Sequence, residues 1–101
     1  MKYRSKIDII GDILEVVNSA DDNGLTKIKI MYGVFLSYAQ LKDYLSILLE
    51  KGLIVEEYRK EQKVEEEGEE KEKQRSSYYY RITYKGRHFL QIYRRLSEMS
   101  A

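Results

Sequence analysis

The first half of the chain repeats its apolar residues at the spacing of α-helices. One series predicts a first helix over residues 6–19 and consists of Ile7, Ile10, Ile13, Leu14 and Val17. Ser5 and Asp8 have the spacing of a capping box, in which each side chain bonds the backbone amide of the other. Turn residues at 20–24 end this helix.

Two further helices are predicted before residue 52. Thr26 can cap a short helix over 26–33, with Ile28 and Met31 turned inward and Lys27 and Lys29 outward. Ser37 and Gln40 form a second capping box at the start of a helix over 37–51. Gly52 ends that helix, and its apolar face consists of Leu41, Leu45, Leu48 and Leu49.

The pattern then changes to the two-residue period of strands. Residues 53–60 and 76–82 are rich in β-branched and aromatic side chains, which predicts an antiparallel hairpin. Between them, 61–75 is charged and is expected to be a mobile, solvated tip. Tyr78 and Tyr80 should share one strand face with Ile82, and core or interface packing accounts for most of the ten tyrosines. Stacking on single-stranded bases is the less favoured alternative.

A last helix is predicted over 84–99, capped by Thr83. Its apolar residues cover about half of the helix circumference, which exceeds the stripe that a helix needs to pack on its own domain. The surplus predicts a homodimer joined through this helix. The candidate dimer-interface residues are Phe89, Leu90, Ile92, Tyr93, Leu96 and Met99.

Composition narrows the class of protein. A chain of 101 residues with 43% hydrophobic and 35% charged residues fits one domain with a charged surface. It has no cysteine and a single histidine, so we expect no thiolate zinc site, other metal site or cofactor. No Ser/His/Asp set, phosphate-binding glycine loop or carboxylate pair stands out, so we do not expect an enzyme. With no membrane-length apolar run or signal peptide, we expect a cytoplasmic protein.

The net charge of +1 hides an uneven distribution. Residues 61–75 carry seven acidic and four basic side chains, whereas the rest of the chain is mildly basic, mostly near its C-terminal end. A basic body with an acidic loop is compatible with nucleic acid, although charge alone does not decide it.

The order helix, helix, helix, strand, strand, helix is that of a winged helix-turn-helix, a mainly α fold with a small β-hairpin (α+β). The residues resemble one group of such proteins through RSKIDII at 4–10, TKIKIMYG at 26–33, LSY at 36–38 and TYKGR at 83–87. The group is the archaeal winged-helix DNA-binding family typified by the 10-kilodalton chromatin-type protein of Sulfolobus. The resemblance implies a dimer that binds double-stranded DNA, joined through C-terminal helices. The chain departs from the group in its short last helix and its long acidic wing tip.

In a winged helix the third helix enters the major groove, and its N-terminal part reads base edges. Gln40 could pair with adenine or be occupied by its capping box, and the two readings are evenly balanced. Lys27 and Lys29 are expected to contact phosphates. The predicted hairpin is the wing of this fold, and any contacts from it should come from the base of its tip, at Arg59, Lys60 and Arg75. The DNA-binding candidates are Thr26, Lys27, Lys29, Ser37, Tyr38, Gln40, Lys42, Asp43, Arg59, Lys60 and Arg75.

Asp43 and Glu50 on the outward face of the third helix favour a sequence-preferring transcriptional regulator over a protein that coats DNA. A chromatin-type protein without strong sequence preference remains one alternative. A winged-helix protein–protein interaction module is another, since the acidic wing and near-zero net charge suit a protein partner. A DNA-associated regulator is the preferred hypothesis.

Overall fold

The computed structural model describes residues 4–20, 23–60 and 76–100. Within these residues, four helices and three strands follow one another in the order α1, β1, α2, α3, β2, β3, α4. Their bounds are Lys6–Ser19 (α1), Leu25–Thr26 (β1), Lys27–Val34 (α2), Tyr38–Glu50 (α3), Ile54–Lys60 (β2), Ser76–Ile82 (β3) and Tyr84–Ser100 (α4). The predicted fold class, mainly α with a small β-sheet, is confirmed. The acidic segment 61–75, predicted to be a mobile tip, lies outside the described residues.

Side-chain caps fix where the helices begin. The Ser5 hydroxyl accepts a hydrogen bond of 3.1 Å from the Asp8 amide, and the Asp8 carboxylate accepts one from the Ser5 amide. Thr83 caps α4 by accepting from the Gly86 amide at 2.9 Å, and its hydroxyl also donates to the Gly52 carbonyl at 2.7 Å. Thr83 therefore joins the start of α4 to the turn that follows α3.

The sheet has three antiparallel strands in the order β1-β3-β2. β2 and β3 pair from Ile54 opposite Ile82 to Lys60 opposite Ser76. β1 adds Leu25 opposite Tyr80 and Thr26 opposite Tyr79. The prediction of a two-stranded hairpin missed β1, because two residues are too few to show a strand period.

One hydrophobic core joins the helices to the sheet. In α2 the buried residues are Ile30 and Val34, four positions apart, whereas Ile28 is 55% exposed. The expectation that Ile28 points inward was therefore wrong: the core-facing stripe of α2 begins two residues later than its pattern suggested. The fully or nearly buried apolar side chains are Ile13, Leu14, Val17, Ile30, Val34, Leu36, Leu41, Leu45, Leu48, Leu53, Ile54, Tyr80 and Leu90.

Two glycines allow α4 to lie close to its neighbours. A Cβ atom on Gly86 would overlap the backbone oxygen of Leu53. A Cβ atom on Gly11 of α1 would lie 2.5 Å from Cε2 of Tyr93. At both positions the neighbouring group occupies the space of a side chain, so these contacts depend on glycine.

The predicted dimer surface on α4 divides into two faces. Leu90 is only 1% exposed, and Phe89 and Tyr93 pack partly buried against the same core. Leu90 is therefore part of the protein's own core and not exposed to a partner, which corrects its predicted place in the dimer interface. On the opposite face, Ile92, Leu96 and Met99 are 46%, 58% and 77% exposed.

Candidate nucleic-acid interface

α3 presents a polar face to solvent. Leu41, Leu45 and Leu48 are buried and fix the direction of the core, so Lys42 and Asp43 lie on the exposed side. The predicted base-reading residues are all exposed; they are Ser37, Tyr38, Gln40, Lys42 and Asp43. The structure thus gathers these five residues at one end of α3, the end whose backbone amides point outward.

Gln40 is occupied by the capping box in this structure. Its side-chain oxygen accepts from the Ser37 amide at 3.1 Å, and its backbone amide donates to the Ser37 hydroxyl at 3.1 Å. A bidentate pair with adenine uses the same oxygen as an acceptor. Of the two roles predicted for Gln40, the free protein shows the capping role. A hydrogen bond from Gln40 to adenine would have to compete with it.

The start of α2 lies against the start of α3. The ammonium of Lys27 is 5.5 Å from the centroid of the Tyr38 ring, within the range of a cation–π contact. The Thr26 hydroxyl accepts from the Lys29 amide at 3.4 Å, so Thr26 caps α2. Lys29 is exposed. Two cations therefore lie at the amino ends of the helix pair, where phosphate contacts are common in such folds.

Arg59 is engaged within the protein. Its guanidinium donates to the Asn23 carbonyl at 2.8 Å and to the Glu57 carboxylate at 3.1 Å, and it lies 4.1 Å from the centroid of the Tyr79 ring. The hydrogen bond from Arg59 lowers the pKa of Glu57. These contacts tie the C-terminal end of β2 to the segment before β1. Of the other predicted wing contacts, Lys60 ends β2 opposite Ser76, and Arg75 lies outside the described residues.

Tyr58, Tyr78 and Tyr80 lie on the face of the hairpin opposite to Arg59 and Tyr79. Tyr58 and Tyr78 are directly opposite each other in the sheet, with ring centroids 5.1 Å apart and ring planes tilted by 59°. Next to them, the buried Tyr80 donates a 2.7 Å hydrogen bond to the Glu56 carboxylate. Burial and this bond raise the pKa of Tyr80 well above its ordinary range, and Tyr38 and Tyr78 lie near enough to add to the rise.

We call Tyr38, Tyr58 and Tyr78 the tyrosine cluster. Tyr78 shares a strand face with Tyr80 and Ile82, as the sequence pattern predicts, but the pattern assigned it to core or interface packing. Tyr58 was not predicted to be a site residue. The sequence signal is a run of three consecutive tyrosines at 78–80, whose side chains alternate between the two strand faces, and this alternation does not show where along a strand the core ends.

A second surface that the sequence did not predict lies on α2 and the turn after it. Ile28, Tyr32 and Phe35 are exposed and follow the four- and three-residue steps of one helix face. Phe35 is 86% exposed and has a backbone φ of 56°, in the left-handed region that glycine and asparagine favour. We call these three residues the α2 ridge.

A helix pair whose second helix shows a polar face, followed by a hairpin and a closing helix, defines a winged helix-turn-helix domain. The comparison with protein families agrees: the model of the winged helix-turn-helix family matches residues 3–101, so the chain belongs to that family. No curated protein matches the chain. Membership of this family indicates DNA binding. Among the residues that the structure describes, none forms a helix long and apolar enough to cross a membrane.

Proposed function

We propose that the protein is a homodimeric transcriptional regulator that binds double-stranded DNA and reads the major groove with α3. The observation that carries the proposal is the exposed polar face at the start of α3, flanked by Lys27 and Lys29 of α2. The two lysines would neutralise phosphates beside the groove, while the end of α3 reaches base edges.

The composition of this face supports sequence preference over uniform coating. Lys42 can donate to guanine or to a phosphate, whereas the Asp43 carboxylate can accept from the amine of cytosine and would repel a nearby phosphate. A face of mixed charge gains less from an arbitrary sequence than a uniformly basic face would, because non-specific binding depends on cations.

The dimer part of the proposal rests on the outer face of α4. Ile92, Leu96 and Met99 form an exposed apolar stripe along this helix, and pairing with the same stripe of a second copy would bury it. Because Leu90, Phe89 and Tyr93 already pack in the protein's own core, this interface is narrower than the six residues predicted.

The test is fluorescence anisotropy of the full chain with a random duplex of about 30 base pairs at several salt concentrations, with sedimentation of the same sample. We expect a dimer whose affinity falls steeply as salt rises, because each neutralised phosphate releases counterions. Selection of binding sites from a random pool should then enrich a common sequence. A pool without enrichment would favour the chromatin-type, DNA-coating alternative.

A protein–protein interaction module is the second candidate function. The α2 ridge favours it, because exposed apolar side chains at helical spacing are typical of surfaces that bind proteins. Absence of duplex binding even at low salt would decide for this candidate. We also propose that the protein is related to the archaeal DNA-binding group, on the strength of the segments at 26–33 and 36–38.

A further inference from the structure

We infer that the tyrosine cluster binds one sugar–phosphate strand of the duplex, donating uncharged hydrogen bonds from its phenols to phosphate oxygens. This inference rests on the proposed DNA binding and adds residues to it. This DNA strand would run between the hairpin and the major groove that α3 occupies.

The strand register places the cluster between the helix pair and the hairpin. β1 pairs only with Tyr79 and Tyr80 of β3, so Tyr78 lies just beyond the end of β1, where α2 begins. Tyr58 faces Tyr78 from β2. Tyr38 is the first residue of α3, and the Lys27 ammonium lies over its ring. Tyr38 thus lies at the amino end of α3 and Tyr78 beside the amino end of α2, and Tyr58 packs against Tyr78.

The exposure of the rings suits contact with a strand. Tyr38, Tyr58 and Tyr78 are 53%, 55% and 48% exposed, so each is held by packing while about half of it faces solvent. Tyrosine side chains have few rotatable bonds, so fixing them on binding costs little conformational entropy. Tyrosine hydroxyls are also among the common donors to DNA phosphates.

The charges around the cluster give the contact a distinctive signature. Lys27 places a cation beside Tyr38. The Glu56 carboxylate, which accepts from the Tyr80 hydroxyl, lies on the same face of the sheet as Tyr58 and Tyr78. A phosphate strand over the cluster is attracted by the phenols and Lys27 and repelled by Glu56. The phenols carry no charge, so their contribution to affinity is independent of salt, unlike that of Lys27.

The experiment compares conservative variants of the full chain by anisotropy with the same random duplex at several salt concentrations. We expect Tyr58→Phe and Tyr78→Phe each to weaken binding by about 3- to 10-fold, the worth of a neutral hydrogen bond, with an unchanged salt slope. Lys27→Ala should lower the slope by about 0.9. Glu56→Gln keeps an acceptor for Tyr80 but removes the charge, so it should tighten binding. Tyr84→Phe, an exposed tyrosine at the start of α4, is the matched control and should bind as the wild type does.

A second measurement needs no variant: the ring signals of Tyr58 and Tyr78 should shift in NMR spectra of the wild type during titration with duplex, while that of Tyr84 stays in place. The inference is overturned if the variants at 58, 78 and 56 all bind like Tyr84→Phe and the ring signals do not move. If Lys27→Ala still lowers the slope in that case, the proposed function survives. A wild type that does not bind duplex at low salt would overturn both.

Discussion

The phenol of Tyr93 in α4 donates a hydrogen bond of 2.8 Å to Oδ1 of Asp8 in the first turn of α1, across 85 positions of the chain. The other carboxylate oxygen of Asp8 accepts from the amide and hydroxyl of Ser5. Asp8 therefore completes the capping box of α1 and anchors α4 at the same time. Further along the same pair of helices, Arg94 donates two hydrogen bonds, of 2.7 and 2.8 Å, to the Glu15 carboxylate.

We expect Tyr93→Phe to raise the pKa of Asp8. The bond from Tyr93 is the largest cause that lowers this pKa, followed by the bonds from Ser5. The bond from Arg94 likewise lowers the pKa of Glu15. Titration of the carboxyl carbons by NMR would measure the pKa of Asp8 in Tyr93→Phe and in the wild type. An Asp8 pKa that does not change in Tyr93→Phe would show that this bond does not form in solution.

The lowered pKa values of Asp8 and Glu15 also predict how stability depends on pH. A carboxyl whose pKa is lower in the folded state stabilises the protein above its ordinary pKa of about 4, and this stabilisation is lost as the pH falls through the folded value. Denaturant midpoints should therefore be level above about pH 5 and fall below it. The fall should be smaller in Arg94→Gln, which no longer holds the pKa of Glu15 down. If the denaturant midpoint falls equally below pH 5 in the wild type and in Arg94→Gln, this prediction is contradicted.

Gly86→Ala should destabilise the protein by about 1–3 kcal/mol or more, because the new methyl group would meet the backbone oxygen of Leu53 rather than a movable side chain. Gly33→Ala is the matched control. Its methyl group would lie 3.1 Å from Cγ1 of Val16, and alanine favours a helix over glycine by up to about 1 kcal/mol. Chemical denaturation should therefore show a large loss for the first variant and a small change for the second.

Phe35→Gly should stabilise the protein by about 0.5–1 kcal/mol. Phe35 has a positive φ, which is costly for a residue with a Cβ atom, and its exposed ring buries little apolar surface. Phe35→Ala, which keeps the Cβ atom, should give no such gain. If Phe35→Gly destabilises the protein in chemical denaturation, the ring makes a contribution to the fold that its exposure does not suggest.

The two faces of α4 should respond differently to substitution. Ile92→Asp and Leu96→Asp should each give monomers in sedimentation. The monomer should lose little stability, because both side chains are exposed. Leu90→Ala should instead lower stability by about 2–5 kcal/mol, as expected for a buried leucine. A wild type that is already monomeric would remove the dimer from the proposal.

Replacing both Lys27 and Lys29 with alanine should weaken binding to all duplexes and lower the salt slope by up to about two. Lys6→Ala is a suitable control, since Lys6 is exposed at the start of α1. An unchanged slope in the double variant would place both lysines outside the interface.

The sequence predicted the fold class because its local signals agree with the packing: both capping boxes form, and the buried leucines of α3 follow the helical period. It could not reveal β1, whose pairing depends on Tyr79 and Tyr80, more than fifty positions away. A helical wheel also could not show that Leu90 faces the protein's own core while Ile92 faces solvent. The hydrogen bond from Arg59 to the Asn23 carbonyl likewise joins residues 36 positions apart, so no local pattern predicts it.

Thr26 is both the last residue of β1 and the residue that caps α2. No linker separates the sheet from the helix pair at this point, so the pairing of Thr26 with Tyr79 ties the amino end of α2 directly to β3. A duplex would then meet a preformed surface, and the base of the hairpin would not have to be ordered on binding. The affinity would gain from this rigidity, because little freedom of the backbone is left to lose when the complex forms.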